Sequence, residues 1–121
     1  MRTRDDAATA ARALFAEVDV LLSVSRPGTA PALDAPRVAR GGTISDAVRA
    51  AANLIGLPGA SFPCGLADDG LPVGLHLVGP PGSDGLLVGI VAAYQANTAH
   101  HLARPSLRPQ AADPIRVGFD S

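Results

Sequence analysis

The run NLIGLPGASFPCGLADDGLPVGLHLVG at residues 53–79 decides how the rest of the chain is read. Gly56 and Pro58 stop a helix there, since glycine accepts the left-handed cap and proline forbids continuation. Two strand-like apolar stretches follow, at residues 59–66 and 72–79. Between them Ala67-Asp68-Asp69-Gly70 is a hairpin signal, because Asp-Gly suits the tight turns that match strand twist. In the second stretch Val73, Leu75 and Leu77 take one face, and Gly74, His76 and Val78 take the other. Pro63 has no N–H to give to a ladder, so the first stretch is an edge strand or an irregular one.

Working upstream, residues 43–55 read as a helix whose start, Thr43-Ile44-Ser45-Asp46, has the shape of a capping box. Residues 26–40 carry Pro27, Pro31 and Pro36 without periodicity and read as an extended loop, closed by Gly41-Gly42. DVLLSV at residues 19–24 is nearly continuous in apolar character and fits a strand buried on both faces. Residues 4–18 read as a helix, with Asp5 and Asp6 in the first turn where the dipole favours negative charge. Its stripe of Ala7, Ala11, Leu14 and Val18 predicts close packing against a broad surface, a sheet.

Downstream, Gly79-Pro80-Pro81-Gly82 breaks the chain. Ser83 offers an N-cap for a third helix over residues 84–98, with Leu86, Leu87, Ile90, Val91 and Tyr94 as its apolar face. Past His101 the chain turns proline-rich, and residues 108–121 are expected to form a poorly ordered tail. The fold class expected is α/β: three helices packed on a small mixed sheet with a β-hairpin, in one partial domain over residues 1–107.

Composition narrows the function classes. The 121 residues are 47% hydrophobic but only 3% aromatic, with no Trp, so the core must come from Ala, Val and Leu. Such side chains each bury little area at ~25 cal/mol per Å², and a free-standing domain built this way is marginal. Ten basic residues, all Arg, against eleven acidic ones give a net charge of -1. That lacks the clustered positive charge a nucleic-acid surface needs. No apolar run approaches the ~18–20 residues of a membrane span. A single cysteine excludes an internal disulfide framework and fits a reducing compartment. Acidic residues near the start stand where a signal peptide needs its apolar core, so the expected location is cytoplasmic. No cofactor and no metal is expected.

Three blocks together resemble the amidase signature family. Val18-Asp19-Val20-Leu21-Leu22 is similar to its buried strand. Asn53-Leu54-Ile55-Gly56-Leu57-Pro58 with Pro63-Cys64-Gly65 is similar to its N-x-x-G-x-P…P-x-G segment. Gly70-Leu71-Pro72-Val73-Gly74-Leu75-His76-Leu77-Val78-Gly79 resembles its G-L-P-V-G-x-Q-x-V-G strand. The resemblance runs from the first helix to about residue 107 and implies the C-terminal part of an α/β/α amide-hydrolase fold. Ser23-Val24-Ser25-Arg26-Pro27 departs from the family's Thr-Pro-Thr turn, and His76 replaces its usual Gln. The family's Ser–Ser–Lys triad, in which lysine is the base behind a bridging and a nucleophilic serine, belongs to a longer N-terminal part. With no lysine among the 121 residues, the resemblance implies no catalytic residues here.

The same resemblance, to the branch of the glutamyl-tRNA amidotransferase A subunit, implies a substrate-binding role for Asp46. There a carboxylate seven residues before the motif Asn grips the substrate's ammonium group, and Thr43 and Ala50 share its helix face. The alternative for Asp46 is a capping-box carboxylate paired with Thr43.

Each other candidate has a structural alternative. Cys64 reads as a small buried hydrophobe, or as half of a Cys64–His76 dyad across the hairpin. His100-His101 reads as charge at a helix end rather than a metal site, since no second ligand cluster accompanies it. Ser61 reads as a strand residue, lacking the sharp turn that exposes a nucleophile. Asn53 reads as a structural tie between helix and strand. Three functions follow: an inactive C-terminal amidase fragment, a subunit completing an amidase-type N-terminal chain or self-associating, and an independent Cys64–His76 enzyme.

Overall fold

A computed structural model describes residues 2–32 and 44–105. The elements run α1 (Arg2–Leu14), β1 (Leu21–Val24), α2 (Ile44–Ile55), β2 (Gly59–Leu66), β3 (Pro72–Val78) and α3 (Asp84–Ala96), then a single 3-10 turn at His100–Leu102. The α/β class stands: three helices accompany a three-stranded sheet in the order β1-β3-β2. Both ladders are antiparallel, where a mixed sheet was expected.

The hairpin forms as its residues predict. Ala67 donates to Leu71 O at 2.9 Å, Gly70 donates to Ala67 O at 2.8 Å, and Gly70 takes a φ of 76°. Asp69 stabilises the turn from outside, accepting from the Leu71 N–H at 3.0 Å and the Thr29 hydroxyl at 2.8 Å. Those bonds favour the ionised carboxylate and hold its pKa below the ordinary 3.8, the Leu71 N–H contributing most. Pro63 explains two features at once: β2 lies at the sheet edge, and its pairing slips between Pro63 and Gly65 in a bulge. Helix α2 ends at Gly56 with φ 73°, and Leu57 closes it by donating to Ala52 O at 2.9 Å.

Register divides the sheet into two sides. Phe62 pairs with Leu75, Ala60 with Leu77, and Leu22 with that same Leu77, so these side chains share one side. Helix α3 covers it, and Phe62, Leu77 and Leu87 form the core, with Ile90, Val91 and Tyr94 packed around them. The Phe62 and Tyr94 rings meet at 5.0 Å and 60°, a tilted pair. The cover stops short of β1, where Leu22 is 61% exposed and Val24 48%. The strand expected to be buried on both faces therefore alternates, with one side bare. Four residues are too few to bring their own cover.

Two further expectations change. Helix α1 packs on α2 rather than on the sheet; Arg4 Nε donates to Leu54 O at 3.3 Å. It ends at Leu14, leaving Val18 in the following turn and exposed. Ser83 precedes α3 but makes no side-chain cap; its hydroxyl is buried without a partner. The Ser83 backbone, at φ -84° and ψ 14°, lies outside the extended region an N-cap residue usually takes, and a β-carbon at Gly79 would lie 2.1 Å from Ser83 Oγ. Residues 106–121 lie outside the described residues, and with them the whole of the tail expected over residues 108–121.

Candidate functional site

The other side of the sheet carries the polar groups. His76 sits mid-way along the central strand, opposite Ser23 on β1 and Ser61 on β2. Its Nδ1 lies 2.8 Å from Ser61 Oγ. The ring leans over Gly59, where a β-carbon would stand 3.1 Å from its Cε1, so the absent side chain makes room for it. Burial first, and the positive charge of Arg49 second, hold the imidazole below its ordinary pKa of 6.5. A neutral ring can accept the Ser61 proton at Nδ1 when its own proton is on Nε2.

Ser25 anchors the end of β1 to β3. Its N–H donates to Gly74 O at 2.8 Å and its hydroxyl to Leu75 O at 2.7 Å. A side chain at residue 74 would meet Ser25 Oγ at 2.9 Å, so the close approach requires glycine there.

Helix α2 meets this face through Arg49. Its Nη1 donates to the Ser25 carbonyl at 2.6 Å, and its Nη2 to Asp46 Oδ1 at 2.5 Å. The ion pair spans one helical turn, with both side chains partly exposed. Alone, such a pair contributes only ~0.3–0.5 kcal/mol. Its importance is geometric: one guanidinium links a helix carboxylate to the strand end beside His76.

The expected residues are distributed unevenly over this arrangement. Asp46 lies at the face and is engaged by Arg49. Ala50, one turn further on, is exposed on the same stripe. Thr43, also the proposed capping-box partner of Asp46, lies outside the described residues. Asn53 is exposed, and among the described residues its amide holds no bond to the following strand; the helix end is closed by Leu57 N–H on Ala52 O. Cys64 sits at the bulge with its thiol toward Val73 O at 3.6 Å, while the partner opposite His76 is Ser61. The Cys64–His76 dyad therefore does not form. The His100 ring lies against Tyr94, nearly parallel at 6.3 Å, and among the described residues no group of three or more ligating side chains could hold a metal. Arg49 is the residue that the sequence reading missed. Its spacing of three from Asp46 is the usual signature of a helical ion pair and was the available signal.

Comparison with known proteins bears on the whole arrangement. The family model for Amidase matches residues 1–88, which contain α1 through the start of α3. This chain belongs to the amidase family. Curated relatives are A subunits of glutamyl-tRNA(Gln) amidotransferase. That of Syntrophobacter fumaroxidans is 47% identical over 62 residues, covering 51% of this chain and 13% of the relative. That of Trichormus variabilis is 37% identical over 94 residues, covering 77% and 19%. The Synechococcus elongatus protein is 40% identical over 96 residues, covering 78% and 20%. This chain thus spans about an eighth to a fifth of the length of these relatives. Among the described residues no helix is long and apolar enough to cross a membrane.

Proposed function

We propose that this chain is a C-terminal piece of an amidase-family carboxamide hydrolase, holding one wall of the substrate pocket but not the groups that cleave the C–N bond. The observation carrying the reading is the family match joined to a sequence of 121 residues without a lysine. A Ser–Ser–Lys relay has no base in such a chain. What the chain does hold is the polar face built from Asp46, Arg49, Ser25, Ser61 and His76. Asp46 and Ala50 on one helix stripe, with Thr43 before them, are the residues assigned to substrate contact.

The test is ammonia release from simple carboxamides by the purified chain. No turnover is expected, and robust hydrolysis would sink the reading.

A second reading has its own support. Both outer strands keep an unpaired edge within the described sheet, and Leu22 and Val24 present a bare apolar strip beside one of them. Such edges invite pairing. In this reading the chain acts as a non-catalytic, cytoplasmic subunit that completes an amidase-type N-terminal chain, or associates with itself. Gain of hydrolysis on mixing with a Ser–Ser–Lys-bearing piece supports it; a monomer that gains nothing on mixing counts against it.

A further inference from the structure

We propose that Arg49 sets the charge preference of this pocket wall, turning it toward carboxamides that lack an ammonium group. The proposal rests on the pocket-wall reading above and names the substrate class for it.

A carboxylate that grips an ammonium group must offer its charge to the ligand. Here Asp46 shares that charge with Arg49 at 2.5 Å. The pair has no net charge. An incoming ammonium group would have to sit beside a guanidinium, and like charges a few ångströms apart repel strongly once partly removed from water.

Swinging Arg49 aside is the ligand's other option. The exposed ion pair alone would not prevent it. The second tie does, because Nη1 is held by the Ser25 carbonyl at 2.6 Å, and Ser25 is itself fixed to β3 through Gly74 O and Leu75 O. Releasing Asp46 therefore leaves the positive charge in place. A neutral or carboxylate-bearing amide meets no such conflict. A guanidinium carries five N–H donors, of which the bonds to Ser25 and Asp46 use two, and its planar fork suits carboxylates. Ser61 and the neutral His76 ring add hydrogen-bonding groups to the same face without adding charge.

Two probes differ by the ammonium group alone: glutaramate, with a carboxamide and a carboxylate, and L-glutamine, with the same two groups and an α-ammonium. Both are titrated into the whole chain at near-neutral pH, following backbone amide NMR shifts of α2 and β3. Glutaramate is expected to bind at least tenfold more tightly than glutamine. In Arg49→Gln the ratio should collapse toward one or reverse, and Arg49→Lys, which keeps the charge, should retain the preference. A purely bracing role for Arg49 would weaken both probes equally and leave the ratio unchanged, which overturns the proposal. Tighter glutamine binding by the unaltered chain overturns it too, while leaving the pocket wall standing. If neither probe shifts α2 or β3, the pocket-wall reading and this proposal fail together. If Arg49→Gln does not fold, the ratio is read in Arg49→Met, which removes the charge and keeps the aliphatic stem; an unchanged ratio there overturns the proposal.

Discussion

The two sides of the three-stranded sheet are built by opposite means. On one, Phe62 and Leu77 of the sheet and Leu87 of α3 are almost wholly buried against one another, and apolar contact closes the layer. On the other, Ser25, Ser61, His76, Arg49 and Asp46 are joined by hydrogen bonds and one ion pair, and Ser61 remains exposed. The first side supplies stability; the second supplies directed polar groups at little net stabilisation, since each such bond contributes only ~0.5–1.5 kcal/mol. Separating the two lets the polar side vary without unfolding the chain. Substitutions on either side test that division.

The largest effect is expected at Leu77. Leu77→Ala should cost ~2–5 kcal/mol, because the site is 2% exposed and gripped from both neighbouring strands and α3. Stabilities of whole domains are only ~5–15 kcal/mol, so a fold with so few large buried side chains should lose most of its folded population. Chemical denaturation measures it. A loss below ~1 kcal/mol would mean that the α3 side is not the stabilising one.

Next in size is Gly79→Ala, at the joint between β3 and α3. Its new β-carbon would lie 2.1 Å from Ser83 Oγ, with Leu87 Cδ2 at 3.3 Å, in a fully enclosed position. Overpacking of this kind costs ~1–3 kcal/mol. Ser83→Ala alone should be neutral or mildly stabilising, as it removes a buried hydroxyl without a partner. In the double variant part of the Gly79→Ala loss should return, because the nearest clash is gone while Ser83 Cβ still stands at 3.1 Å. Additive losses in a thermal-melt cycle would show that the contact is not what makes glycine necessary.

These residues also show how far the chain could be read without coordinates. The hairpin, the Gly56 stop and the irregular β2 were legible because each depends on backbone chemistry within a few residues: Asp-Gly at the turn, a left-handed glycine, a proline without its N–H. Ser83 was misleading because residue type announces a cap, whereas the backbone angles it takes, and the burial of its hydroxyl without a partner, are not written in residue type. The bare side of β1 was hidden for a similar reason. An apolar run announces a strand, but whether a helix covers it depends on where α3 ends its reach. Of the polar face, Asp46, Ser61 and His76 could be singled out from the sequence. The reach of Arg49 to the Ser25 carbonyl, 24 positions away, exists only once α2 and the end of β1 have been brought together.

A smaller effect is expected from pH on the polar side. Burial and the charge of Arg49 hold His76 below 6.5 in the folded chain, so between the folded value and 6.5 the unfolded chain binds more protons. Stability should therefore fall as pH drops from about 6.5 through the folded value, and recover on raising it. His76→Gln has no group titrating there and should flatten that part of the profile. Asp69 acts in a separate, lower window. Its carboxylate is favoured in the folded chain, so its contribution is present above 3.8 and is lost as pH falls through the lowered value. A slope between pH 5 and 7 that persists in His76→Gln would assign the effect to another group.

The smallest change in stability is expected on the strip that neither side of the comparison covers. Leu22 is 61% exposed, so Leu22→Thr removes little buried area and introduces a β-branched residue suited to a strand. The monomer's free energy of unfolding should change by no more than ~0.5 kcal/mol, the usual range for surface positions. Self-association should respond far more, since Leu22 and Val24 lie along an unpaired edge where another strand can add. Sedimentation of the two forms over a concentration series separates these outcomes. Loss of association with unchanged stability marks the strip as an interface held in reserve. A large loss of stability would instead mean that β1 belongs to the closed apolar side, and that the division between the two sides runs along β1 rather than through the sheet.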